Sequence, residues 1–447
     1  MSKNARACRL FTTVLLAAIL ARAGAEPVYQ VISDTYTITG RTRQSVIKAI
    51  IGPAEGREFA SVEEINSFTT LRQKKLDNLR SFKSSSVSAS FGTEEAGVVP
   101  VSLETAITDG TAFVPIPYLF YNSNEGFMAG LVANAPNFLG TLQNLTAMGL
   151  YAAPPDDRDR LQWTDPNFML VVNWSNIRLD PAIFQITAMA MRMNRKIEDL
   201  GILRNKFHAI AFTGIVSAEI PVTGTLSSKT SIKYSWSPDH TIDYITDESL
   251  LPWGPIDSVL GAETGFVINS FHWEKNFRSG WKAEALGGIE YTRPSLAADH
   301  TSYTGEAELA GFYRATQRFN PQARISAFGR TGNPVLDVGR KIRGIRNVEL
   351  RGNAGVFLNT GVQIFLARFG PVEVHLVPCF DAVWLYTDNA ETRQNDWGLA
   401  AGGEFLVFLD ALKSLPIKFG AGYDLRSEDK NGSDKFYEID FSFALTY

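Results

Sequence analysis

The chain has 447 residues, of which 45% are hydrophobic and 20% are charged. This length allows two or three soluble domains, or one large barrel with an appendage, so composition does not choose between these architectures. The formal net charge is −4. A chain without a basic excess is a poor candidate for binding nucleic acid, and we exclude that class of partner.

The N-terminus has the pattern of a secretory signal peptide. Lys3, Arg6 and Arg9 precede an apolar run, and Ala23-Gly24-Ala25 supplies the small residues that signal peptidase cuts. We predict a signal peptide over residues 1–25. A membrane helix is the alternative, but the run is shorter than the roughly 20 apolar residues that span a bilayer. Since no later uncharged stretch approaches that length, any other membrane contact is expected to be non-helical.

Export changes the charge and the cysteine count. Removal of residues 1–25 takes four of the 43 basic residues and none of the 47 acidic ones, which leaves a formal charge of −8. Cys8 is lost with the signal, so only Cys379 remains and no internal disulfide can form. A closed barrel needs no disulfide, because each of its strands is paired on both sides.

Residues 26–109 are predicted to form a small α/β domain. An extended run ends at Gly40, a residue suited to positive φ. The helix that follows has one apolar face, formed by Val46, Ile47, Ile50 and Ile51. Ser61-x-x-Glu64 can form a capping box at the start of a second helix. Two strands, around 82–91 and 98–107, complete the order strand, helix, helix, strand, strand.

From Thr111 onward the chain consists of strand-length segments separated by Gly, Pro, Asn and Asp clusters. The last strand alternates strictly, with its apolar face formed by Tyr437, Ile439, Phe441, Phe443, Leu445 and Tyr447. A terminal strand of a soluble sandwich also alternates, so this strand by itself leaves the choice open. Its apolar residues Tyr437, Phe441, Phe443, Leu445 and Tyr447 are our candidate C-terminal strand signal.

Other segments repeat the same alternation. It recurs over residues 226–236, 281–291 and 303–313, where the apolar face ends in Tyr or Trp, as in the aromatic girdles of membrane barrels. The opposite face carries charged residues: Lys229, Lys233, Glu284, Glu306 and Glu308. We count about sixteen strands, an even number, and predict a transmembrane antiparallel β-barrel over residues 110–447. The fold class is therefore mainly β, with a small α/β domain ahead of the barrel.

The connections between these strands fall into two length classes. Residues 154–163, 237–262 and 331–353 are long and polar, and we predict that they form outer loops. Residues 369–371 form a short connection, as expected of a periplasmic turn.

Several of these segments resemble the bacterial surface antigen superfamily, the BamA/TamA-like outer-membrane assembly and translocation proteins. The N-terminal module resembles a single polypeptide-transport-associated (POTRA) domain. The matching segments are Ile38-x-Gly40 and Leu76-x-x-Leu79-x-x-Phe82. Three barrel segments resemble the family's first hairpin and early turns: Val114 to Tyr121 with Glu125-Gly126, Asn137 to Thr141, and Trp163 to Phe168. The resemblance covers nearly the whole mature chain.

The most specific match is Ile342-Arg343-Gly344-Ile345, which resembles the family's Val-Arg-Gly-Phe/Tyr motif at the tip of the sixth outer loop, here 331–353. In that family the loop folds into the barrel lumen and its arginine meets an acidic residue of the wall. The resemblance implies Asp381 as this lumen partner. Parity along the strand agrees, because a lipid-facing Phe380 puts Asp381 in the lumen. The alternative is a solvated Arg343 and an ordinary lumen-facing Asp381.

The chain also departs from the family. Ile345 stands where the motif usually has an aromatic residue, and Tyr447 stands where the family more often ends in Phe. Only one POTRA-like domain fits before the barrel, and Pro27 to Val31 leaves no room for the plug helix of two-partner secretion transporters. We therefore expect neither the central multi-domain assembly factor nor a two-partner transporter.

The sequence lacks the motifs of common enzyme sites. No nucleophile elbow, zinc-binding His-Glu-x-x-His or Walker phosphate loop occurs. The histidines lack metal-ligand spacing: they are His208, His240, His272, His300 and His375. Gly398 to Gly403 and Gly420 to Gly422 are glycine-rich but lie within predicted strands, where glycine marks bends or close packing. We predict that the protein is not an enzyme and has no metal or other cofactor.

These patterns favour a protein that inserts or translocates polypeptides at the outer membrane. Its partners would be the outer-membrane lipid bilayer and extended client polypeptides, captured by β-augmentation at a strand edge within residues 82–107 of a periplasmic domain. The alternative is a passive pore or structural surface antigen. An outer-membrane enzyme is a third reading.

A further prediction concerns the junction of the first and last barrel strands. Pro115 and Pro117 lack backbone N–H groups, so a first strand that contains both predicts a short seam with the last strand. Cysteines at Leu119 and Phe441, or in a neighbouring register, are expected to crosslink this seam.

Overall fold

The computed structural model describes residues 27–79, 81–110, 113–123, 126–153, 166–199, 202–245, 255–295, 297–335, 338–345, 350–388, 393–410, 416–426 and 437–443. The predicted signal peptide, the loop 154–163, Leu445 and Tyr447 lie outside the described residues. The chain divides into two compact units. The first takes in the residues before Ala112 together with Leu139–Leu142, and the second takes in the remainder.

The first unit is a four-stranded sheet with two helices. Its elements are β1 (Val28–Thr39), α1 (Gln44–Ile51), β2 (Glu58–Phe59), α2 (Val62–Leu79), β3 (Phe82–Phe91) and β4 (Val98–Asp109). The strand order is β2-β1-β4-β3, with β1 and β4 parallel and the outer pairs antiparallel. The two helices and the three long strands occur in the order that the sequence predicts. The two-residue β2 was not predicted, because two residues cannot display a periodicity.

Local chemistry explains where α2 begins. The Glu64 N–H donates to Ser61 Oγ at 3.3 Å, and Glu64 Oε2 accepts a hydrogen bond from the Ala60 N–H at 2.9 Å. The predicted capping box therefore forms, with its reciprocal bond one residue earlier than usual. The apolar faces of the helices cover the sheet, where Ile47, Ile65 and Leu76 are at most 1% exposed.

A buried ion pair lies within this unit. Arg72 on α2 donates to both carboxylate oxygens of Asp34 on β1, at 3.0 and 2.9 Å, and also to the Gly52 carbonyl at 3.2 Å. Tyr36 donates to Asp34 at 2.8 Å. Because the Arg72 side chain is 1% exposed, removal of either charge would leave the other buried without compensation.

The second unit is a closed antiparallel barrel. Its strands are β5 (Val114–Asn122), β6 (Gly126–Phe138), β7 (Gln143–Ala153), β8 (Asn167–Leu179), β9 (Ala182–Asp199), β10 (Ile202–Pro221), β11 (Leu226–Ile245), β12 (Ile256–Asn269), β13 (His272–Glu274), β14 (Phe277–Pro294), β15 (His300–Phe312), β16 (Phe319–Arg330), β17 (Ala354–Phe369), β18 (Val372–Asp388), β19 (Arg393–Leu409), β20 (Ile417–Asp424) and β21 (Tyr437–Phe443). The short β13 pairs with β14 alone, while β12 and β14 pair directly. Sixteen strands of the described chain thus form the ring, which confirms the predicted fold class.

Alternation sorts the side chains of the barrel wall into two faces. Tyr303 and Ile232 are 61% and 56% exposed on the outer face. On the inner face, Lys229 pairs with Glu284 at 2.6 Å, across β11 and β14. Apolar residues therefore face outward and charged residues inward, as the period of two predicts.

One predicted loop is wrong. Residues 237–262 were expected to form an outer loop, but β11 continues to Ile245 and β12 begins at Ile256. The Ser-Pro-Asp cluster at 237–239 resembles a turn, yet it lies at a register irregularity, where Phe212 pairs with Trp236 and Ile210 with Asp239. A β-bulge accommodates a proline within a strand, which explains the error.

The other predicted connections agree with the strand boundaries. β16 ends at Arg330 and β17 begins at Ala354, so residues 331–353 form one connection between the eleventh and twelfth barrel strands. It contains a 3₁₀ turn over Val338–Lys341. Gly370-Pro371 alone joins β17 to β18, and Gly370 has φ +58. In the part of the chain that the structure describes, no helix is long and apolar enough to span a membrane.

Candidate functional site in the barrel lumen

The tip of the 331–353 connection lies against the inner face of the barrel wall. Gly344 has φ +88, a conformation that favours glycine. It packs on the backbone of β20: a Cβ placed on Gly422 would lie 2.6 Å from the Gly344 nitrogen. Two glycines thus permit a backbone approach that any side chain would prevent, which is why the tip reaches the wall.

Arg343 binds the wall through a forked ion pair. Its Nε donates to Asp381 Oδ2 at 2.8 Å and its Nη2 donates to Asp381 Oδ1 at 2.7 Å. The backbone N–H of Arg343 donates to the same carboxylate at 3.1 Å. Asp381 is 1% exposed. A bidentate guanidinium–carboxylate pair fixes orientation as well as charge, so the tip has a defined position.

The polar contacts continue across the neighbouring strands. Arg343 Nη1 donates to Glu404 on β19 at 3.2 Å. Lys418 on β20 lies 3.6 Å from Glu404 and 2.8 Å from Asp440 on β21. Opposite charges alternate along this line, so each buried charge has a neighbour of the other sign.

Glu438 connects the loop tip to both terminal barrel strands. Its Oε2 accepts a short hydrogen bond from the Gly344 N–H, and its Oε1 accepts one from Asn122 Nδ2 at 2.6 Å. Glu438 lies on β21 and Asn122 is the last residue of β5. One carboxylate therefore bridges the loop, the last strand and the first strand. We use the term lumen track for the residues of this wall: Asp381, Glu404, Lys418, Asp440, Glu438 and Asn122.

Apolar contacts anchor the residues on either side of Arg343 and Gly344. Ile342 is 1% exposed and Ile345 is fully buried, in a cluster with Leu350, Phe357 and Leu385. Gly398 on β19 leaves room for Ile345, because a Cβ there would lie 2.7 Å from Ile345 Cδ1. An aliphatic side chain thus fills the place where the resembled motif usually has an aromatic one.

The last and first barrel strands meet beside the lumen track. β21 and β5 are joined by four residue pairs in the described chain: Asp440 with Asn122, Phe441 with Tyr121, Ser442 with Phe120 and Phe443 with Leu119. Leu119 and Phe441, the pair suggested from sequence, are therefore diagonal neighbours. Phe441 packs against Phe419 of β20, with ring centroids 4.9 Å apart.

The structure brings together the four motif residues and Asp381. It also adds Glu404, Lys418, Glu438 and Asn122, which the sequence analysis did not single out. One available signal was glycine: Gly398 and Gly422 lie in the glycine-rich stretches of β19 and β20, and both face the loop tip.

His375 lies elsewhere on the inner face. It is fully buried and contacts Glu373 at 2.7 Å and Gln363 at 2.9 Å. No group of three or more His, Cys, Asp or Glu side chains in the described ranges could hold a metal ion.

Fold and site together define a sixteen-stranded barrel whose inner wall binds the tip of the 331–353 connection, with a small α/β unit earlier in the chain. Solved structures with this fold include CdiB from Acinetobacter baumannii, at TM-score 0.56 and 13% identity, over 92% of this chain and 73% of that one. CdiB from Escherichia coli aligns at TM-score 0.54 and 12% identity, over 94% of this chain and 92% of that one.

The third similar structure is BamA from Haemophilus ducreyi lacking POTRA domains 1–3, at TM-score 0.51 and 12% identity, over 92% of this chain and 85% of that one. No protein-family model and no curated protein matches the sequence. These likenesses confirm the BamA-like barrel fold that the motif resemblance implied.

Proposed function

We propose that the protein inserts or translocates polypeptides at the outer membrane. The observation that carries this proposal is the bridge from the loop tip through Glu438 to the junction of the last and first strands. A static pore needs no connection between its lumen loop and one particular strand junction. A barrel that passes a chain sideways needs a junction that can open and a loop that moves with it.

The energetics of the seam support this reading. Each net hydrogen bond contributes about 0.5–1.5 kcal/mol in water, and more where hydrocarbon replaces water. Pro115 and Pro117 of β5 have no backbone N–H to donate, so the first strand offers two donors fewer than a regular strand. The lumen track adds contacts across the same junction, so displacement of the loop tip would weaken it further.

The first unit is proposed to act as a POTRA-like domain in the periplasm. β3 is an edge strand of ten residues that pairs with β4 in the described sheet, and its sequence is rich in serine. An extended client can add to such an edge through main-chain hydrogen bonds. Recognition of this type depends little on client sequence, as a general assembly or transport factor requires.

A depletion experiment tests the proposal. Loss of the protein should lower the abundance of other outer-membrane proteins or of a surface-exposed client, measured by quantitative proteomics of the outer-membrane fraction. Expression of the intact chain should restore them. An unchanged outer-membrane proteome would contradict the assignment.

The second candidate is a passive pore or structural surface antigen, and the charged inner wall favours it. Lys229 with Glu284 and Lys233 with Glu290 form pairs that a water-filled lumen would hold. Single-channel recordings distinguish the candidates. A mostly closed channel that opens when residues 331–353 are deleted supports the transporter, and a steady current that survives the deletion supports the pore.

We also propose that the protein performs no catalysis of its own. In this view its work is done by binding and by strand exchange, for which the lumen track and the β3 edge supply the contacts.

A further inference from the structure

The outer face of the barrel carries an apolar trough along β9. The outward residues Ala188 and Ala190 form its floor. Leu170 on β8 and Phe212 on β10, which are 55% and 44% exposed, form its walls. Two adjoining open depressions of about 570 and 330 Å³ share Leu170, Ala190 and Phe212. We call this continuous groove the β9 trough.

One cation lines the end of the β9 trough. Arg192 follows Ala190 on the same face of β9 and lies in register with Phe168 on β8 and Ile210 on β10. Beside it, the rings of Tyr151 and Phe168 meet edge to face with centroids 5.4 Å apart. A guanidinium next to an aromatic pair is typical of the border between hydrocarbon and headgroups.

The height of Arg192 on the barrel indicates which border this is. The two residues Asp180-Pro181 join β8 to β9, a short connection of the kind found at the periplasmic end. Arg192 lies ten residues above Ala182, the first residue of β9. At a rise of about 3.3 Å per residue and a tilt of about 40°, this is roughly 25 Å, the height of the apolar band. Arg192 thus reaches the outer leaflet.

We propose that the β9 trough binds one acyl chain, and Arg192 the phosphate, of a phosphorylated and multiply acylated lipid of the outer leaflet. This inference rests on the proposed outer-membrane location. The apolar lining of the trough matches the hydrocarbon of an acyl chain. A planar guanidinium matches phosphate in a bidentate manner. A free anion would use Arg192 but not the apolar floor, so the trough selects a lipid over inorganic phosphate.

The test uses the purified full chain in detergent and lipid A that carries both phosphates, with binding measured by native mass spectrometry. Arg192→Ala removes the phosphate contact, and Ala190→Leu fills the trough without a change of charge. Each is expected to weaken binding by about tenfold or more. Both side chains face outward, so the inward packing of the barrel is unchanged.

Two variants serve as matched controls. Arg293 on β14 is also exposed but lies outside the trough, and Ala283 is an outward alanine on the same strand. Arg293→Ala and Ala283→Leu should bind lipid A as the wild type does. Lipid A without phosphates should bind the wild type about as weakly as intact lipid A binds Arg192→Ala.

Several results would overturn the inference. They are wild-type binding by both Arg192→Ala and Ala190→Leu, equal binding of the phosphate-free lipid, displacement of the lipid by inorganic phosphate alone, and a co-purified protein in the trough in place of lipid. An unchanged outer-membrane proteome on depletion would instead contradict the proposed function. The lipid measurement on purified protein would remain interpretable, so the two failures are distinguishable.

Discussion

Two junctions of the barrel differ in how they contact the loop tip. β18 and β19 pair over seventeen consecutive positions, from Val372 with Leu409 to Asp388 with Arg393. β21 and β5 pair over four positions in the described chain. Arg343 is anchored on the first junction, through Asp381 and Glu404, and the adjacent Gly344 contacts Glu438 at the second. The loop tip is therefore held at the first junction by a forked ion pair and at the second by one carboxylate.

Removal of the anchor should have the largest effect on this arrangement. Arg343→Ala leaves the Asp381 carboxylate buried without its partner, which costs about 3–5 kcal/mol in buried ion pairs. We expect Arg343→Ala to unfold at a lower urea concentration than the wild type. Unfolding is measured in detergent micelles, by loss of the heat-modifiable gel migration of the folded barrel. The loop should also become sensitive to protease.

The matched control for this variant is Arg393→Ala. Arg393 pairs with Asp388 at the exposed end of the β18–β19 junction, and its side chain is 79% exposed. An exposed pair contributes roughly 0–1 kcal/mol. If both variants unfold at the same urea concentration, the loop is not anchored by Arg343.

Locking each junction in turn should sharpen the contrast in function. In a Cys379→Ser background, Tyr121→Cys with Phe441→Cys places a disulfide across the seam between β21 and β5, where these residues are in register. We expect the crosslinked barrel to stay folded but to fail to restore outer-membrane protein levels in depleted cells, because the seam can no longer open.

The control places the same crosslink between β18 and β19. Trp384 and Trp397 are in register across β18 and β19, and both face outward at 50% and 54% exposure. Trp384→Cys with Trp397→Cys should leave activity unchanged. Full activity of the crosslinked seam variant would mean that lateral opening is not part of the mechanism.

A milder change separates the loop from the seam without disturbing the anchor. Glu438→Gln removes the charge that accepts hydrogen bonds from Gly344 and Asn122, a loss of about 1–2 kcal/mol. Channel recordings should show more frequent opening than in the wild type. Glu306→Gln, on the inner face of β15, is the control and should behave as the wild type. Equal opening in both variants would contradict a role for Glu438 at the seam.

The smallest expected effect lies in the first unit and tests whether it responds to pH independently of the barrel. Burial and the hydrogen bond to Asp34 raise the pKa of Tyr36 from 10.0 to about 12. Because this pKa is higher in the folded state, the neutral phenol of Tyr36 stabilises the folded unit fully below pH 10. That contribution is lost as the pH rises through 12. The difference in tyrosinate absorbance between the wild type and Tyr36→Phe should titrate near 12. A midpoint near 10 would show that Tyr36 is not held by Asp34.

The sequence predicts the features that local periodicity encodes. Alternation of period two and turn clusters predict about sixteen strands and their faces, and the Ser61 and Glu64 pair marks the start of α2. The period does not encode which inner-face residues meet across strands. Glu404, Lys418 and Glu438 become neighbours only through the register of β19, β20 and β21, which the hydrogen-bond ladder sets. Pro238 led to the incorrect loop over residues 237–262, because a β-bulge tolerates a residue that normally ends a strand.

The seam also bears on the kinetics of folding. Asn122 and Glu438 are 316 positions apart in the chain, so this contact is among the most non-local that the barrel makes. The entropy cost of closing a loop grows only logarithmically with its length. Pairing of distant residues is nevertheless slow, because the entropy of loop closure is lost before the compensating contacts form. Until β21 arrives, β5 presents an unpaired edge that any other strand can use. The ring is therefore expected to close last at this seam, and the time before closure is when the nascent barrel is most exposed to aggregation.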